Sequence, residues 1–162
     1  MNKFLLKEMS ILSLILGLIC GVAVMLPFMG TLVLLFLLFL SSVTVYFYMK
    51  KKNELGLFEP KEAAMYGAVI GFIAFVGFSL TMVPVALLLS IKSSFSWFSF
   101  IKQIFTFGFI NGGLLLFMLV GFMAVMSGIF NAFSSMLAVF AMQAIEGTNK
   151  NKDDLKIDVK IE

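Results

Sequence analysis

Few residues in this chain can do chemistry, and their spacing keeps them apart. Its 162 residues include no His, no Arg and a single cysteine, Cys20. The carboxylates nearest the long apolar runs are Glu8, Glu62 and Glu146, and each stands at the edge of a run. General acid–base work needs a titratable group held beside the reacting atom, within a constellation of partners. Nothing here pairs a nucleophile with a base, and no glycine loop of the phosphate-cradling type occurs. The counts exclude an intrachain disulfide and a metal site built on Cys and His. Cys20, preceded by Leu18 and Ile19, lacks the small neighbour of a lipidated cysteine and reads as a packing residue. The expectation is a protein that is not an enzyme and holds no cofactor or metal.

What remains polar inside the apolar runs is amide and hydroxyl. Asn111, Asn131 and Gln143 are the amides. Deep in hydrocarbon such groups tie helices together or line a polar path. Asn131 lies deepest, and the expected role is an interhelical hydrogen bond. Proton-coupled transport places an ionisable residue within a span, and none is present there.

The elements that must position these residues follow from charge. No charged residue occurs between Glu8 and Lys50, between Glu62 and Lys92, or between Lys102 and Glu146. Uncharged apolar stretches of 18 residues or more read as membrane spans. The chain is 61% hydrophobic and 13% charged, with mean hydropathy +1.08, against about 25% charged in soluble domains. The expected fold is all-α: a polytopic four-helix transmembrane bundle.

Residues 9–49 as one helix would measure roughly 61 Å, twice a bilayer's core of about 30 Å. Pro27-Phe28-Met29-Gly30 supplies the break, so the first two spans are about 9–26 and 30–49, forming a tight hairpin. Lys3 and Lys7 before an apolar core, with Gly21-Val22-Ala23 beyond, also have the form of a signal peptide. Glu59-Pro60-Lys61-Glu62 opens the third span, about 63–90, with Pro84 expected to kink it or loosen its outer turn. Residues 94–108, with Trp97 among phenylalanines and serines, read as an aromatic segment at the membrane interface. The fourth span is about 112–140. Residues 1–146 thus form one transmembrane domain, and 147–162 a charged, disordered tail whose end alternates like a strand.

Four spans place ten lysines on one side and only Lys92 and Lys102 on the other. A fifth span would equalise the count at six and six. The positive-inside rule therefore expects four spans in a cell membrane, with both termini cytoplasmic.

Helices in lipid associate through small residues. Gly17 and Gly21 mark such a stripe on the first span, and Gly67 and Gly71 on the third. Gly121, Ala124, Gly128 and Asn131 mark the fourth, stepping by three and four along one face. The second span, with Phe36 and Phe39 among leucines, is the expected lipid-facing helix.

The organisation resembles that of small four-helix bacterial inner-membrane proteins of unknown function. The likeness rests on Met49-Lys50-Lys51-Lys52, the run Glu62-Ala63-Ala64-Met65-Tyr66-Gly67, and Gly71. These features are generic, and the resemblance implies no activity. The expected function is structural or accessory, through contacts with lipid, a second copy or another membrane protein, and not with nucleic acid. The alternative is an oligomeric channel, transporter or holin-like pore former.

Overall fold

The computed structural model describes residues 3–24, 26, 29–51, 59–90, 103–104, 106 and 108–158. All regular structure among them is helical: α1 Lys3–Ala23, α2 Met29–Phe39, α3 Ser41–Lys51, α4 Pro60–Ser90 and α5 Phe109–Asp158. The segment expected at the interface lies largely outside the described residues, as do Pro27 and Phe28. Around the latter, α1 ends at Ala23 and α2 begins at Met29.

Among the described residues, three helices are each long and apolar enough to cross a membrane: Leu5–Ala23, Pro60–Val85 and Ile110–Ala144. The third shows that the long uncharged run after Lys102 holds one such helix, not two. α2 and α3 pass the same test only as a pair, because they meet at a 65° bend. The straight second helix expected over 30–49 is therefore corrected to two short helices broken at Leu40. The local cause is polar. Ser41 and Ser42 follow Leu40, and serine hydroxyls compete with main-chain hydrogen bonding in helices. The Ser41 hydroxyl lies 3.1 Å from the Leu37 carbonyl, the acceptor a continuous helix would offer to Ser41 N–H.

Helix ends elsewhere follow the sequence. Pro60 occupies the first position of α4, where its missing N–H costs nothing, and Ala63 N–H closes the first turn onto the Glu59 carbonyl. α4 continues through Pro84 to Ser90. Gly108 has φ of 94°, a conformation that favours glycine, and its carbonyl accepts from Gly112 N–H to start α5. α5 then runs past Gly147 to Asp158, so the backbone there is helical where the alternating pattern reads as extended. Extending an existing helix avoids the cost of a new nucleus.

α4 lies between α1 and α5 and packs along both. Its core with α1, α2 and α5 contains Cys20, Leu37, Ala74, Phe75, Phe78 and Ala124. A second cluster joins Met9, Val45, Tyr66 and Ile70, and a third joins Tyr46, Ala63 and Val139. α3 thus reaches all three long helices. The outer face of α5 is apolar and bare: Ile110, Phe117, Phe122, Phe133 and Leu137 are each more than 60% exposed.

Candidate functional site

The deepest polar feature is the break between α2 and α3. Breaking a helix orphans carbonyls on one side and N–H groups on the other. The last main-chain bond of α2 runs from Leu40 N–H to the Phe36 carbonyl, and the first of α3 from Thr44 N–H to the Leu40 carbonyl. The groups between them lose their ladder partners, and Asn131 of α5 takes up three of them, the Leu37 and Leu38 carbonyls and the Ser42 N–H.

Asn131 is fully buried. Its side-chain NH2 donates toward the Leu37 carbonyl at 2.8 Å and the Leu38 carbonyl at 2.9 Å. Its Oδ1 accepts the Ser42 N–H at 2.9 Å and faces the Ser41 hydroxyl at 3.0 Å. One amide therefore caps the end of α2 and the start of α3 together. It stands in for the peptide groups that a continuous helix would have used.

Serines complete the cluster. The Ser42 hydroxyl donates to the Asn131 main-chain carbonyl at 3.0 Å. The Ser127 hydroxyl lies 3.1 Å from the Leu37 carbonyl and 3.0 Å from the Gly71 carbonyl, with one proton to give. Ser41, Ser42 and Ser127 are all fully buried. Among the described residues no buried side-chain nitrogen or oxygen lacks a partner. The cluster ties α2, α3, α4 and α5 at one point.

The glycines expected to pack helices fall into two groups. Gly17 and Gly21 face α4: a Cβ at Gly17 would collide with the Ala74 carbonyl, and one at Gly21 would lie 2.8 Å from the Phe78 carbonyl. Gly67 and Gly71 face α5. A Cβ at Gly67 would sit 2.6 Å from the Asn131 carbonyl, and one at Gly71 2.6 Å from the Ser127 carbonyl. Gly128 answers from α5, with Ala68's carbonyl 2.9 Å from its Cβ position. Gly121 stands apart, since nothing lies within 4 Å of its Cβ position. It lines an open apolar groove of about 500 Å³ between α4 and α5, with Phe72, Val76, Leu80 and Phe117.

Of the three amides, only Asn131 is buried; Asn111 and Gln143 are exposed near opposite ends of the α5 span. Residue-type reasoning missed Ser41, Ser42 and Ser127. The signals were present: a Ser-Ser pair inside an apolar run, and a serine four residues before Asn131, on the same helix face. No cluster of His, Cys, Asp or Glu able to hold a metal occurs among the described residues.

No protein-family model matches the chain, and no curated protein or solved structure proves similar to it.

Proposed function

We propose that this chain is a multi-pass membrane protein of the cell membrane, built as a four-helix bundle with α2 and α3 forming one bent span. In this reading it acts through helix contacts as a structural or accessory component, without catalysis. The bare apolar face of α5 supports insertion, because a soluble monomer rarely exposes contiguous apolar patches beyond a few hundred Å². The observation that carries the reading against a permeation path is the closed state of the polar cluster. The polar side chains around Asn131 are spent on the chain itself, so none of them is left to replace the hydration shell of a passing ion.

The second reading, an oligomeric channel, transporter or holin-like pore, draws on the helix break. Discontinuous helices near the bilayer midplane build the binding sites of many transporters. Reconstitution separates the two. Vesicles carrying the purified chain should hold a sodium gradient as long as protein-free vesicles do. A leak that scales with protein density would sink the accessory reading and promote the pore.

A further inference from the structure

The way Asn131 is bonded at the break points to a two-state span. We infer that α2 and α3 form a switchable helix, bent when the Asn131 amide is inserted and straight when it is withdrawn. The inference rests on the pair being one span of the proposed membrane fold.

The hydrogen bonds of the two states overlap. In the bent state Leu37 and Leu38 carbonyls accept from Asn131, and Ser42 N–H donates to it. In a continuous helix the same carbonyls accept from Ser41 and Ser42 N–H, following the i to i−4 ladder. The Leu37 and Leu38 carbonyls and the Ser42 N–H are therefore bonded in either state, by one route or the other. No proline lies between Met29 and Lys51 to forbid the straight form. Straightened, these 23 residues would measure about 34 Å, enough to cross a hydrocarbon core of about 30 Å.

Packing sets the balance. The bend seats Val45 and Tyr46 of α3 in the core alongside Leu37 of α2. A straight span cannot keep both halves on the same contacts. The bent form is thus the ground state, and the Asn131 bonds set its lead over the straight one. Switches of this kind rest on packed elements with two discrete arrangements rather than on continuous bending.

Spin labels report the switch directly. Met29→Cys and Phe47→Cys, both at exposed positions, are labelled in a Cys20→Ala background and reconstituted in nanodiscs. Straightening should lengthen the distance between labels by about 4 Å, from helix rise and the 65° bend. Asn131→Ala should gain a population at the longer distance. Adding Ser41→Pro to Asn131→Ala should abolish that population. Proline fits the first position of α3, but in a straight helix it would clash with the Leu37 carbonyl. Asn131→Ala with the wild-type distance alone would overturn the inference.

The wild-type sequence gives a second test should Asn131→Ala fail to fold. A longer span suits a thicker bilayer, so lipids with longer chains should raise the long-distance fraction of the labelled chain. One unchanged distance at every thickness would again overturn the switch. Loss of the labelled chain from alkali-washed membranes would instead refute the membrane reading on which it stands.

Discussion

Asn131 and Ser42 bond to each other twice, across 89 residues of sequence. The Ser42 N–H donates to the Asn131 side-chain oxygen at 2.9 Å, and the Ser42 hydroxyl donates to the Asn131 main-chain carbonyl at 3.0 Å. The pair fixes both the register of α3 against α5 and the orientation of the amide. With the orientation fixed, the NH2 group must face the Leu37 and Leu38 carbonyls. A single residue on α5 thus decides how a helix on the other half of the chain is broken.

Removing that amide should cost more than an ordinary interhelical hydrogen bond, which averages about 0.6 kcal/mol in membranes. Asn131→Ala leaves the Leu38 carbonyl and the Ser42 N–H without their partner, and an orphaned buried group costs about 1–3 kcal/mol. Asn131→Asp should be worse. It replaces a donor by an oxygen facing the carbonyls of Leu37, Leu38 and Ser127. Thermal unfolding in detergent ranks the three proteins. An Asp variant as stable as wild type would show that water reaches this position.

Ser127→Ala should be milder, with a loss below about 1 kcal/mol, in the range of a typical net hydrogen bond. Leu37's carbonyl keeps the Asn131 and Ser41 donors when Ser127 is gone. If Ser127→Ala matched Asn131→Ala in the same melts, the cap would belong to the cluster as a whole and not to the amide.

The glycines divide by what their missing Cβ atoms would strike. Gly71→Leu and Gly128→Leu should each destabilise by about 1–3 kcal/mol or more, since main-chain atoms of the facing helix cannot move aside easily. Gly121→Leu should be tolerated, and so should Leu115→Ala, at an exposed position on the outer face of α5. Equal melting temperatures for Gly71→Leu and Gly121→Leu would refute the assignment of the packed face.

Much of this was legible from residue types alone. Charge spacing located α1, α4 and the span of α5, and steps of three and four brought Gly17, Gly21, Gly67, Gly71, Gly128 and Asn131 onto their stripes. Gly121 continues its stripe in sequence, yet it lies beyond the contact with α4 and faces the groove. Periodicity finds a face but not where two helices diverge. The break at Leu40 is faint in the sequence, because no proline or glycine marks it and the Ser41-Ser42 pair does not break a helix unaided. The serine pair permits the break locally, and Asn131, far along the chain, completes it by bonding the Leu37 and Leu38 carbonyls and the Ser42 N–H. The second span, expected to be the lipid-facing helix, divides at the break: α2 exposes Met29, Leu32, Leu35 and Phe39, while Ser41, Ser42, Val45 and Tyr46 of α3 are buried.

The break also changes what orientation experiments must test. If α2 and α3 cross as one bent span, ten lysines share a side and Lys92 and Lys102 take the other. If the pair instead dips in and returns, three spans remain. Lys50, Lys51, Lys52, Lys61 and the four tail lysines then face Lys3, Lys7, Lys92 and Lys102, eight against four. Both arrangements put residues 56 and the C-terminus on the lysine-rich side and residue 100 on the opposite side. Only the N-terminus and residue 30 distinguish them. The steeper charge asymmetry favours the crossing arrangement under the positive-inside rule. Reporter fusions should therefore read the N-terminus inside and residue 30 outside. The reverse result at these two positions, with residues 56, 100 and the C-terminus unchanged, would make α2 and α3 a re-entrant pair.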